Sequence, residues 1–108
     1  MLTLRSFVFT FPEVTEAPHF EKTSFRVRGK ILATCDEREM IATLKLSESD
    51  QDAFGLINKE AIHPVPNKWG KSGWTRFYLD KVEDSVLYDA LKCAYCEVAP
   101  KKLVNAIR

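Results

Sequence analysis

The stretch that decides the fold is 24-SFRVRGKILATCDEREMIATLKL-46, in which three apolar segments are separated by two short polar turns. Apolar and basic residues alternate in the first segment, with Phe25 and Val27 on one side. A period of two with one apolar side is typical of an antiparallel strand that buries one face. Gly29 supplies a turn, KILATC continues as a second strand, and IATLKL is a third. The sequence therefore predicts a three-stranded meander.

Helical periodicity is found on both sides of this meander. Apolar spacing predicts a first helix over residues 3–11, and a second over residues 48–58. The third helix has the most regular apolar spacing, over residues 86–98, and it begins at a capping residue, Asp84 or Ser85. These patterns predict three amphipathic helices that cover a sheet.

Two further strands complete the predicted sheet. They run over residues 61–65 and 74–80, whereas residues 13–22 form an irregular, partly acidic connection. The predicted element order is α-β-β-β-α-β-β-α. The fold class is α+β, with one antiparallel sheet of about five strands and helices on one face. A chain of 108 residues without repeats or a linker is expected to form a single domain over residues 1–108.

Composition places the chain among ordinary soluble domains. The formal net charge is +1, unlike the strongly basic character of dedicated nucleic-acid-binding domains. There is no apolar run of the roughly 20 residues that a membrane span needs. Three cysteines, an odd number, argue against a secreted disulfide scaffold. We expect a cytoplasmic protein, a monomer or weak dimer, without a membrane partner.

Cysteines and histidines are the candidates for catalysis or metal binding. Cys93 and Cys96 form a CxxC pattern, but it lies late in a predicted helix, where the dipole opposes thiolate formation. Cys35, His19 and His63 do not show the spacing of metal ligands. Semi-buried or hydrogen-bonded structural roles are favoured for all of them. We therefore expect no enzyme activity, no catalytic residue, no metal and no cofactor.

Basic and aromatic residues are predicted to share the sheet face that carries no helix. If Phe25, Leu44 and Phe77 face the helices, their strand neighbours face away. Such a surface provides cations for phosphates and rings for base stacking. Arg28 is expected on this face beside Arg26, and further basic and aromatic residues are Lys30 and those of 67-NKWGKSG-73. The predicted nucleic-acid contacts are Arg26, Arg28, Lys30, Lys45, Lys68, Trp69, Lys71, Trp74, Arg76 and Tyr78.

A second interpretation assigns the same residues to the fold. Trp74 and Tyr78 would cover the open sheet face, and arginines would pack over their rings. The surface would then serve a protein partner or a small ligand without binding DNA. The two interpretations differ in their dependence on salt, because phosphate contacts are screened and apolar burial is not.

Several segments together resemble the MmcQ/YjbR family. They are PHFEKTSFRVRGKI, ATLKLS, VPNKWGKSGWTRFYL and VAPKKL, which follow one another over nearly the whole chain. The resemblance implies a bacterial protein with a fold related to the CyaY (frataxin-like) sandwich. It also implies DNA as the partner, bound through a proposed double-wing motif. The chain departs from many relatives in its longer KWGKSGW segment, and its first helix has no acidic ridge for iron.

Overall fold

The computed structural model describes residues 2–108 and shows five helices and six strands in that part of the chain. The predicted α+β class, with a single antiparallel sheet, is confirmed. The elements are α1 (Leu2–Val8), β1 (Val14–His19), β2 (Lys22–Val27), β3 (Lys30–Asp36), β4 (Ile41–Lys45), α2 (Glu48–Ile57), β5 (Ile62–Pro64), α3 (Lys68–Lys71), β6 (Trp74–Tyr78), α4 (Asp84–Val98) and α5 (Lys101–Ile107).

The sheet has the strand order β1-β2-β3-β4-β6-β5, and every pair is antiparallel. The first four strands form a meander, because each is joined to the next by a short turn. The chain then leaves the sheet through α2 and returns as β5, which forms an edge. β6 inserts between β5 and β4, so the strand that carries Trp74, Arg76 and Tyr78 is an internal strand of the sheet.

A two-residue turn and a bulge shape the β2–β3 hairpin. Arg28 and Gly29 have φ values of +52° and +81°, the pattern of a type I′ turn, whose twist matches that of the strands. The register shifts between Phe25 and Arg26, because β3 contains one extra residue there. This bulge turns two consecutive β3 residues, Leu32 and Ala33, into the core.

The core lies between one sheet face and the helices. Phe25, Ala33, Leu44 and Thr75 pair across four neighbouring strands and are fully buried. α4 packs over β3 and β4, and α1 packs against α4. The hydroxyl of Tyr95, on α4, donates a 2.8 Å hydrogen bond to the carbonyl oxygen of Pro12. This bond fixes the segment between α1 and β1.

Several elements differ from the sequence prediction, among them the one-turn helix α3, which was not predicted. Residues 14–19, predicted as an irregular connection, form edge strand β1, which pairs with β2 along its whole length. The first helix ends at Val8 rather than residue 11. In the next turn the N–H groups of Thr10 and Phe11 donate to carbonyl oxygens three residues earlier, as in a 3₁₀ turn, instead of four residues earlier. After α4, the chain resumes as α5, which buries Leu103 and Val104. Tertiary pairing and packing stabilise segments that are too short or too polar to show a periodic pattern.

Candidate nucleic-acid interface

Alternation along β6 separates a buried side from an accessible side. Thr75 and Phe77 are fully buried against the core. Trp74, Arg76 and Tyr78 are partly exposed on the open face, which is the sheet face opposite Phe77 and the other core residues. This is the placement that the period-two pattern predicts. A row of ring, cation and ring therefore follows one internal strand.

The strand register extends this row across the sheet. Lys45 on β4 pairs with Trp74, and Thr43 pairs with Arg76. Arg26 on β2 lies opposite Ile31, which shifts it toward the same end of the open face as Trp74. Side chains of paired residues lie on the same sheet face. Arg26, Lys45 and Trp74 thus share one end of the open face.

Hydrogen bonds orient two of these cations. The Arg26 Nε donates to Ser24 Oγ at 3.1 Å, and that hydroxyl donates to the carbonyl oxygen of Ala17 at 2.9 Å. The Lys45 ammonium donates to the carbonyl oxygens of Ser72 and Leu46. Their positive charges remain, but Lys45 uses its donors to hold the chain before β6. Arg26 is the better placed of the two for a phosphate.

The short helix α3 adds three predicted contacts beside this end of the sheet. Asn67 caps it, because its Oδ1 accepts the Trp69 N–H at 2.9 Å. Lys68 and Lys71 are exposed, and Trp69 has 57% of its surface accessible. We call Arg26, Lys45, Lys68, Trp69, Lys71, Trp74, Arg76 and Tyr78 the basic–aromatic patch.

A buried glutamine, which the sequence analysis missed, holds α3 and β6 together. The Gln51 Nε2 donates to the Gly70 carbonyl oxygen at 2.9 Å and to Thr75 Oγ1 at 3.0 Å. The Thr75 hydroxyl donates in turn to the carbonyl oxygen of Gly73 at 3.0 Å. The sequence gives one indication of this role, because Gln51 is a polar residue within the predicted helix 48–58. This network fixes the position of the patch relative to the helices.

Two predicted contacts lie outside the open face: the assignment of Arg28 to that face is wrong, and Lys30 lies on the opposite side of the sheet. The alternation ends at Val27, because Arg28 belongs to the type I′ turn. Its guanidinium forms two hydrogen bonds with the Glu13 carboxylate, at 2.6 and 3.1 Å. This contact raises the pKa of Arg28 and lowers the pKa of Glu13. Lys30 pairs with Val27, whose side chain points into the core, so Lys30 lies on the opposite face from Arg26.

The other end of the open face contains a cavity of mixed charge. Its volume is about 180 Å³. Arg76 forms the boundary between this cavity and the basic–aromatic patch. The cavity is lined by Lys22, Thr34, Asp36, Glu39, Ile41, Thr43 and Arg76. The open face is therefore basic and aromatic at one end and zwitterionic at the other.

His19 and the CxxC residues lie away from the patch, whereas His63 borders it, because His63 on β5 pairs with Arg76 and therefore shares the open face. The His63 ring packs 5.1 Å from the Tyr78 ring, and His19 packs against Phe20. Cys93 and Cys96 line a separate depression beside α4 and the end of α5. No group of three or more His, Cys, Asp or Glu residues in the described chain is arranged to hold a metal ion.

Two thiols are expected to react slowly while the protein is folded. Burial raises the pKa of Cys35 to about 11, and burial with the neighbouring Asp50 carboxylate raises that of Cys93 to about 11. At pH 8 about one such thiol in a thousand is ionised. In a Cys96→Ser variant, iodoacetamide should therefore modify the folded protein far more slowly than the urea-unfolded protein.

The same shifts predict the sign of an alkaline effect. A raised pKa favours the neutral thiol in the folded state, so its contribution to stability is complete below pH 9.0 and is lost as the pH rises toward 11. Thermal denaturation of the same variant from pH 8 to 11 measures this loss. Rapid alkylation of the folded variant at pH 8 would contradict the assignment.

The sheet, its helix-covered face and its open face define an α+β protein built on a single open antiparallel sheet. The chain belongs to the YjbR family, whose model matches residues 9–97. It is also similar to a crystal structure of the Deinococcus radiodurans protein DR2400, which contains a DUF419 domain. The two share 21% identity, with a TM-score of 0.78 over 96% of this chain and 84% of the other. This similarity shows the fold.

A search among curated proteins finds no relative of this chain. A membrane-spanning helix would have to be longer and more apolar than any helix in the described part of the chain.

Proposed function

We propose that this YjbR-family protein binds single-stranded nucleic acid, DNA in the first instance, through the basic–aromatic patch. The observation that carries the proposal is the row of Trp74, Arg76 and Tyr78 on the open side of internal strand β6. Aromatic rings on a sheet can stack with unpaired bases, while neighbouring cations contact the backbone.

The spacing of the row suits bases that are not adjacent in the strand, with a backbone contact between them. Same-face residues on a strand are about 6.8 Å apart, so the rings of Trp74 and Tyr78 stand roughly 14 Å apart with Arg76 between them. A nucleic-acid strand lying along β6 would reach Trp74 first and then the Arg76 guanidinium. Base-paired strands do not expose the base faces that such stacking requires, which favours a single strand.

The charge distribution predicts weak, salt-dependent binding. Among the described residues, none of the five cations of the patch forms an ion pair. Lys45 donates to backbone carbonyl oxygens, which leaves four cations for phosphates: Arg26, Lys68, Lys71 and Arg76. Neutralising four phosphates of a single strand gives a slope of log K against log salt of about −3. The net charge of +1 adds little attraction at long range. We expect binding that is measurable at low salt and largely lost at moderate salt.

Fluorescence anisotropy with a labelled oligothymidylate, titrated at two salt concentrations, tests the proposal. Trp74→Ala should weaken binding about tenfold, since stacking contributes roughly 1–3 kcal/mol per base. Arg76→Ala should weaken binding and make the salt slope less steep. Arg28→Ala is the matched control, because Arg28 pairs with Glu13 away from the patch. The proposal is refuted if no binding occurs at low salt, or if Arg28→Ala weakens binding as much as Arg76→Ala.

We also propose that the protein acts by binding rather than by catalysis, in a reducing cytoplasm. The raised pKa values of Cys35 and Cys93 make poor nucleophiles of these thiols, which supports a role without covalent chemistry. All three cysteines are unpaired, as is usual in a reducing compartment. The alternative, a small-ligand or protein-interaction module without DNA binding, is favoured by the cavity beside Arg76.

A further inference from the structure

The cavity on the open face holds opposite charges that do not neutralise each other. It is lined by two cations, Lys22 and Arg76, and by two carboxylates, Asp36 and Glu39. Among the described residues, no ion pair joins these cations to these carboxylates. Charges of both signs that face one small space, with no pair between them, leave room for a ligand that bears both complementary charges.

The acidic side of the cavity is held in place by the backbone. Asp36 Oδ1 accepts the N–H groups of Arg38 and Glu39, each at 3.1 Å. The β3–β4 turn therefore orients this carboxylate at the end of the sheet before any ligand arrives. A fixed acceptor binds an ammonium group without the entropy cost of ordering a free side chain.

The floor and the basic side come from the strand register. Thr34 pairs with Thr43, and Thr43 pairs with Arg76, so two hydroxyls and a guanidinium stand side by side on three neighbouring strands. Lys22 lies at the start of β2, one position before the Thr23–Cys35 pair, and is therefore the strand neighbour of Asp36. A carboxylate at Arg76 would accept charge-assisted hydrogen bonds, and the threonine hydroxyls can donate further ones.

We propose that this cavity binds a small zwitterion of the α-amino acid class. The ligand's carboxylate lies at Arg76, and its ammonium group at Asp36 and Glu39. The volume of about 180 Å³ is below the roughly 300–1,000 Å³ of sites for drug-sized ligands, which limits the occupant to a small molecule. Asp36 and Glu39 repel a polyanion, so this end of the face is distinct from the nucleic-acid patch. The inference does not rest on nucleic-acid binding.

Two-dimensional ¹H–¹⁵N NMR of the full chain, titrated with individual proteinogenic amino acids at millimolar concentration, tests the inference. At least one amino acid should shift the amide signals of Thr34, Thr43 and Arg76 in a saturable way. Acetate and methylammonium, which each carry half of the zwitterion, should bind at least about tenfold more weakly, because each loses one charge-assisted contact. If no amino acid shifts these signals, or if acetate binds as tightly as the best amino acid, the inference is wrong.

Variants separate this site from the nucleic-acid patch. Asp36→Asn keeps the side-chain oxygen that accepts the turn N–H groups but removes the charge. It should weaken the best amino acid about tenfold and leave oligothymidylate affinity unchanged or higher. Trp74→Ala should weaken oligothymidylate binding about tenfold and leave amino-acid affinity unchanged. Asp52→Asn, on an exposed position of α2, is the charge-matched control. Equal amino-acid affinity in the Asp36 and Asp52 variants would overturn the assignment of the ammonium site.

Discussion

Gly73→Ala should destabilise the protein by about 3–5 kcal/mol, since it adds backbone strain to a steric clash. Gly73 has a φ of +102°, a conformation that L side chains rarely adopt. A Cβ atom built there would lie 1.8 Å from the Leu46 carbonyl oxygen, which belongs to the backbone and cannot rotate away. Relief of this contact requires β4 and β6 to separate where the Leu46 N–H donates to the Gly73 carbonyl oxygen at 3.0 Å.

Gly29→Ala is the matched control for this prediction. Gly29 also has a positive φ, +81°, but a Cβ atom there would meet nothing within 4 Å. Its cost should be that of the left-handed conformation alone, about 1–2 kcal/mol. Urea denaturation of both variants measures the difference. Equal losses would show that strain, and not the contact with Leu46, determines the effect at Gly73.

The tight packing at Gly73 also affects the proposed interface. Gly73 is followed directly by Trp74, and its carbonyl oxygen accepts from the Thr75 hydroxyl that Gln51 also contacts. Closely packed backbone and a buried polar network thus fix the point at which the chain enters β6. The stacking surface is built on a rigid strand, which lowers the ordering cost of binding.

The parts of the fold that could be predicted are those with a repeated pattern. Period-two alternation located the meander and β6, and apolar spacing located α4 nearly to its ends. β1 could not be found in this way, because none of its side chains is fully buried and its pairing with β2 is a tertiary contact. The one-turn helix α3 is too short to show a period, so it was not predicted.

The candidate site was predictable to the same extent. Alternation placed Trp74, Arg76 and Tyr78 on the open side of β6 from their own sequence neighbours. It failed at Arg28, because a type I′ turn interrupts the alternation, and the sequence does not reveal the ion pair with Glu13. The cavity was missed for a different reason. It requires the register of four strands and a turn, and register depends on pairing between distant segments.

Phe77→Ala and Tyr78→Ala, two adjacent substitutions on β6, should have opposite consequences. The Phe77 ring is fully buried and packs edge-on against Phe54, with 6.1 Å between ring centroids. Its truncation should cost about 3–5 kcal/mol. The free energy of unfolding of a domain of this size is about 5–15 kcal/mol, so the variant should remain folded but with little stability left. Tyr78 is partly exposed and contacts His63 and Lys81, so its loss should cost about 1 kcal/mol.

Oligonucleotide affinity should follow the reverse order. Tyr78→Ala removes one stacking ring and should weaken oligothymidylate binding about tenfold, whereas Phe77→Ala, measured at a temperature where it is folded, should bind nearly as well as the parent. Phe77→Leu retains most of the core volume and extends this comparison to a more stable variant. Urea denaturation and anisotropy on the same preparations provide both measurements. If Tyr78→Ala binds normally while Phe77→Leu binds poorly, β6 contributes to binding through its stability alone and the open face is not the contact surface.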